Sequence, residues 1–272
     1  MKKTFAILYV FFNMLAFCGA APFVDPNKTK ITIAVSNINI GEITRAIGGK
    51  KVEVFIIVNS LLQPDFVELT PEIIREVEKS NLILSVENEK WINKLKIEAG
   101  TLGRIYKTLK TEGDWMIPHI HARAADEIKT ILCTLDEENA QYYEENCLKY
   151  LYAADFAASA VKKELASAYG VKVIANSQIK SFLESYGFEI VGSFGKPKDL
   201  TKKRFEYLLK EGKKQKVKIV VDNLQISAAT GGDLAKSLGA KHIALSGNIL
   251  GKSYVNTLKE NAARLKKALE SK

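Results

Sequence analysis

The chain has 272 residues, 47% of them hydrophobic and 26% charged, with 40 Lys and Arg against 31 Asp and Glu, for a formal charge of +9. That length can bury a core in one large domain or in two smaller ones, and the composition excludes both a disordered and a fibrous chain. Three cysteines and three histidines leave no room for a disulfide framework or a cysteine-based metal cluster.

Residues 1–20 join a basic start, "MKK", to a short apolar run, "TFAILYVFFNMLAF", and a small-residue end. This is the pattern of a signal peptide, and the run is short for a membrane span of about 20 residues. Cleavage after Ala20 suits the small Cys18 and Ala20. Lipidation at Cys18 is the weaker reading, because Phe17 is bulky where a lipoprotein signal wants a small residue. Export places the protein in the periplasm or cell envelope, away from nucleic acid. It also permits a bridge between Cys133 and Cys147; two buried thiols are the other reading.

"ITIAVSN" reads as a strand, "INIGEITRAIGG" as a helix stopped by paired glycines, and "KVEVFIIV" as a second strand. Thr70 and Pro71 open the next helix as cap and first-turn residue. "LILSV" is a third strand and "NEKWINKLKIEA" a helix. Strand and helix alternate, which predicts a first α/β lobe over residues 30–135 with a mostly parallel sheet. From Asp136 to Gly170 runs a stretch free of proline and internal glycine, a helix on the order of 50 Å long at about 1.5 Å per residue. It is predicted as a rigid spine over residues 136–170. A second alternation, "VKVIAN", "SQIKSFLESYG", "FEIVGSFG", "TKKRFEYLLKEGKKQ", "VKIVVDN", "GGDLAKSLG" and "AKHIAL", gives a second α/β lobe over residues 171–272, closed by a final helix. The fold class is therefore α/β: two similar lobes joined by one long rigid backbone helix. Ligands of such folds bind beyond the C-terminal strand ends, here the cleft between the lobes.

No phosphate loop, nucleophile elbow or H-E-x-x-H helix is present, and no nucleophile, base and orienting group can be assembled. The chain does not read as an enzyme. His242 in "AKHIAL" reads as structural or as a surface residue. "DWMIPHIH" gathers Asp114, Met116, His119 and His121. If that segment is an extended loop, the two histidines share one face and could bind zinc, or copper if the thioether takes part.

In order along the chain, "ITIAVSNINIGEITRAIGGKKVEVFIIV", "QPDFVELTPEIIREVEKSNLILSVENEKWINKL", "IPHIHARAADEI", "LDEENAQYYEENCLKYL", "ESYGFEIVGSFG" and "AKSLGAKHIAL" resemble the segments of the periplasmic zinc- and manganese-binding proteins of ABC transporters, the cluster A-I solute-binding proteins. The resemblance spans nearly the whole mature chain. It implies an exported, monomeric protein that captures a divalent ion, zinc or manganese, between its lobes as transported ligand and delivers it to a membrane permease. His119 falls on the family's second ligand histidine. Asp65 stands in place of the first, Asn176 at the third position and Ser246 at the fourth, while His121 replaces a tryptophan and is an accessory candidate. A carboxylate suits zinc or manganese; Asn176 and Ser246 offer neutral oxygens, weak for zinc. A differently composed site would need His121, Met116 or Asp222 to turn inward. A cleft for a polar organic solute, or an adhesion or interaction protein that has lost its metal, are the alternatives.

Overall fold

The computed structural model describes residues 30–58, 67–87, 89, 91–100, 104–249 and 251–270. The signal segment with Cys18, and Asp65, lie outside the described residues.

The first lobe begins with strand β1 (Ile31–Asn37), helix α1 (Ile38–Gly48) and strand β2 (Val52–Val58). Asn37 makes the sharp turn between β1 and α1, its Oδ1 accepting from the amides of Asn39 (3.0 Å) and Ile40 (3.2 Å). Helix α2 (Pro71–Glu78) starts as its sequence dictates, with Pro71 in the first turn and Thr70 Oγ1 accepting from the Ile73 amide at 3.3 Å. Strand β3 (Leu82–Val86) and helix α3 (Trp91–Ala99) follow. A fourth strand, β4 (Ile105–Leu109), was not anticipated. It is an edge strand with Lys107 and Thr108 exposed, so its apolar signal is diluted. The sheet is wholly parallel, in the order β2-β1-β3-β4. Ile33, Ala34 and Val35 are fully buried because helices cover both faces.

Helix α4 (Pro118–Leu135) corrects the extended reading of "IPHIH". Proline is well placed at a helix start, since its fixed φ suits the first turn and its missing N–H has no partner to lose there. On a helix, positions two apart point about 200° from each other, so His119 and His121 face opposite ways.

Helix α5 (Ala140–Glu164), entered through a tight turn at Glu137–Asn139, is the spine. Its 25 residues span about 37 Å at about 1.5 Å per residue, shorter than expected because the chain tightens into a 3-10 turn at Ala166–Ala168. Its inner face contributes Tyr143 and Cys147 to the first lobe's core and Ala154, Ala157, Ala158 and Val161 to the second's. The Tyr143 hydroxyl donates to Asp136 at 2.6 Å and ties the helix entry down. Cys133 and Cys147 are free thiols.

The second lobe repeats the plan: β5 (Lys172–Asn176), α6 (Lys180–Ser185), β6 (Glu189–Phe194), α7 (Lys202–Gln215), β7 (Ile219–Asn223), α8 (Gly232–Leu238) and β8 (Lys241–Leu245). Its parallel sheet has the order β6-β5-β7-β8, the same as the first. Helix α9 (Tyr254–Glu270) returns along α5. No helix among the described residues is long and apolar enough to cross a membrane.

Candidate functional site

In each sheet the strand order reverses beside the first strand, at β1 and β3 in one lobe and β5 and β7 in the other, and open α/β sheets as a class take their ligands at such points. The chain leaves these strands through one repeated device. Asn37, Asn176 and Asn223 end β1, β5 and β7, and each side-chain oxygen accepts from the amide two residues on, at 3.0, 3.1 and 2.8 Å. Asparagine is favoured here because its side chain imitates a backbone turn.

That device accounts for Asn176. It is 1% exposed, its Oδ1 receives the Gln178 amide, and its Nδ2 donates to the Gly195 carbonyl at 3.0 Å. Ser246 is also committed within its lobe. Its hydroxyl accepts from Gln225 Nε2 at 2.8 Å and donates to the Asn248 carbonyl at 3.0 Å, and Asn261 clasps its backbone at 2.9 and 2.8 Å. Asp222 is fully buried. Its Oδ2 accepts from the Gly231 amide (2.9 Å) and from His242 Nε2 (2.6 Å), fixing the approach to α8.

His119 is exposed in the first turn of α4, and its ring makes no hydrogen bond, ion pair or ring contact with any described residue. His121 is the opposite case. It is 1% exposed, with Nδ1 3.0 Å from the Trp115 carbonyl, Nε2 2.6 Å from the Tyr150 hydroxyl, and its ring stacked on Tyr254 at 3.7 Å between centroids. Neither ring nitrogen is open to a metal. Burial pulls its pKa down to about 4, against the opposing effect of the Trp115 bond, so the ring is neutral.

His121 belongs to a junction between the lobes that residue patterns did not reveal. Tyr150 also meets Glu42 Oε2 at 2.5 Å, and Glu42 Oε1 accepts from the Tyr254 amide at 3.2 Å. The protons can be counted. The Trp115 carbonyl can only accept, so Nδ1 carries the ring hydrogen and Nε2 of the neutral ring must accept from Tyr150. Tyr150 has one proton and two short contacts, so the second comes from Glu42. Burial, outweighing the bonds from Tyr150 and the Tyr254 amide, pushes the Glu42 carboxyl above its ordinary range.

Around this chain the lobes interlock. The Tyr254 hydroxyl donates to the Met116 carbonyl at 3.2 Å, and Met116 itself packs into the second lobe's core. Asn39 donates to Asn248 Oδ1 at 3.0 Å and accepts from the Ile249 amide at 3.1 Å. Burial pushes Asp114 up to about 6, against bonds from the Met116 and Phe182 amides. Among the described residues, no three His, Cys, Asp or Glu side chains stand close enough to hold a metal ion.

The sequence pattern of the family described as zinc-uptake complex component A, periplasmic, matches residues 33–268. No curated protein sequence matches significantly. Among solved structures, the Cd-bound periplasmic metal-binding protein of Candidatus Liberibacter asiaticus shares 17% identity over 88% of this chain and 100% of its own, with a TM-score of 0.76. The metal-dependent lipoprotein YcdH of Bacillus subtilis shares 19% over 88% of this chain and 99% of its own, with a TM-score of 0.73. The laminin-binding protein Lmb of Streptococcus agalactiae, described as bifunctional with adhesin and metal-transporting activity, shares 16% over 88% of this chain and 100% of its own, with a TM-score of 0.75. At these identities the likeness is one of fold.

Proposed function

The chain belongs to the periplasmic zinc-uptake complex component A family, and from that premise we propose that it is the exported solute-binding component of an ABC importer, passing a divalent metal ion to a membrane permease. Zinc or manganese is the ion class. His119 is the imidazole ligand and Asp65 the carboxylate ligand, both from the first lobe. Asn176 and Ser246 form the second-lobe wall, engaged in their own turns and contributing at most a neutral oxygen. Water completes the coordination shell. A site with one imidazole and one carboxylate binds such ions less tightly than a set of histidines closed by a carboxylate. Capture is accordingly weak and release easy.

One observation carries the assignment: of the family's ligand positions among the described residues, His119 alone presents an exposed side chain with no partner in the fold. Thermal melting of metal-free protein with zinc, manganese, copper, nickel and iron(II), beside a His119→Ala variant, tests it, because a ligand of the folded state raises Tm. A rise with zinc or manganese that the variant loses supports the reading. An equal rise in the variant removes His119 from the site.

A second reading is favoured by the junction, where Tyr254, Asn39 and Glu42 join the lobes through direct hydrogen bonds. On that reading the two-lobe body serves adhesion or docking, and no ion shifts Tm.

A further inference from the structure

The outer face of α5 is at odds with a helix that serves only as an internal spine. Leu148, Tyr152 and Phe156 are 69%, 75% and 67% exposed. Spaced four apart, they advance only about 40° per step and form one stripe, directly opposite the buried line of Tyr143, Cys147, Ala154 and Val161. Half of the described large apolar side chains that are exposed stand on this stripe; the other three, Ile97, Tyr169 and Tyr207, lie on separate elements. Beside it, Leu148, Leu151 and Tyr152 floor an open hollow of about 600 Å³ with Lys149 and Asp155 at its rim. Clustered exposed apolar surface rimmed by charge marks an interaction site.

We propose that this face pairs antiparallel with the α5 face of a second copy, about a two-fold axis passing Tyr152. The sequence of α5 is self-complementary under that operation. The axis sets Tyr152 against its own copy and Leu148 level with Phe156, so each apolar side chain meets another. The exposed acids Glu144 and Glu145 stand before the stripe, and the exposed bases Lys162 and Lys163 stand beyond it. Antiparallel pairing brings each acidic pair within about one turn of the partner's basic pair. Parallel pairing would set acid on acid and base on base. The helix dipoles are opposed in the antiparallel arrangement as well. Ala153, Ser159 and Ala160, also exposed, let the backbones approach. An isologous contact of this kind closes at two copies.

The apolar seam from Leu148 to Phe156 is about 12 Å long, and alone it falls short of the roughly 1,200 Å² that stable interfaces bury. The dimer is therefore reversible, with a Kd in the micromolar range, and the expectation of a monomer holds only for dilute protein. Because the opposite side of α5 carries the core, a change on the stripe leaves folding intact.

Sedimentation equilibrium of the purified protein between about 1 and 500 µM spans that Kd range. The expected result is a monomer–dimer equilibrium. Tyr152→Glu weakens it about tenfold or more with Tm of the dilute protein unchanged. Glu144→Lys with Glu145→Lys also weakens it, and adding Lys162→Glu and Lys163→Glu to the same chain restores it. A monomer at every concentration overturns the proposal. So does a dimer that survives Tyr152→Glu, a charge reversal that is not rescued, or a stripe that binds lipid vesicles while the protein stays monomeric in solution.

Discussion

The ring of Tyr254, at the head of α9 in the second lobe, lies on the ring of His121 in the first, 3.7 Å between centroids and 12° from parallel. The same residue donates its hydroxyl to Met116 and its amide to Glu42. One side chain thus links the lobes by stacking and hydrogen bonding, and the two parts separate by substitution. Tyr254→Phe keeps the ring and loses one hydrogen bond, at a cost of about 1 kcal/mol. Tyr254→Ala empties a fully buried site and costs about 3–5 kcal/mol. Urea unfolding measures both. Small-angle scattering should show a larger radius of gyration for Tyr254→Ala alone.

The protonation state of Glu42 is open to a direct test. Glutamine supplies an N–H toward Tyr150 and a carbonyl oxygen for the Tyr254 amide, matching the protonated acid and not the carboxylate. Glu42→Gln should therefore change stability at pH 7 by less than about 1 kcal/mol, whereas Glu42→Ala strands Tyr150 and the Tyr254 amide and costs about 2–3 kcal/mol. A large loss in the glutamine variant would show that Glu42 is ionised.

Most of the architecture was legible because its signals are local. Ile33 to Val35 form a continuous apolar run, and Thr70 and Pro71 open α2. Strand β4 was missed because its exposed lysine and threonine break the apolar run. The α4 start was misread although Pro118 signals it, because paired histidines suggested a loop. The resemblance proposes ligand positions, but it carries no information on their surroundings. Whether Asn176 faces a cation or turns a strand depends on the carbonyl of Gly195. The role of His121 depends on Tyr150 and Tyr254, and Glu42 meets Tyr254 across 212 residues of sequence. Contacts at that separation leave no periodic trace in the sequence.

Asn39 offers a second route to loosening the junction. Its amide bonds to Asn248 and to the Ile249 amide, so Asn39→Ala leaves the Ile249 N–H without its acceptor, at about 1–3 kcal/mol. The local effect should exceed the global one. Hydrogen exchange at Ile249 should accelerate to the rate of an exposed amide while protection in β5 and β7 persists. Unchanged exchange at Ile249 would mean that this contact does not hold the lobes.

Two buried groups at the junction give opposite pH dependences in metal-free protein. His121 titrates near 4 when folded and near 6.5 when unfolded, so between these values the unfolded chain holds the extra proton and stability rises with pH. Asp114 is raised from 3.8 to about 6, so over that window the folded chain holds the extra proton and stability falls as pH rises. The groups facing this region, Glu42, Tyr150, Tyr186 and Tyr254, are all shifted toward their neutral forms. Glu42 adds to the downward slope, and the tyrosines carry no charge in this range. The wild-type curve should therefore be nearly flat or fall gently between pH 4.5 and 6. Asp114→Asn should tilt it upward with pH and His121→Gln downward, each by up to about 1.4 kcal/mol per pH unit. Equilibrium unfolding of the three proteins at half-unit steps measures the slopes, and parallel curves would assign the titration to other groups.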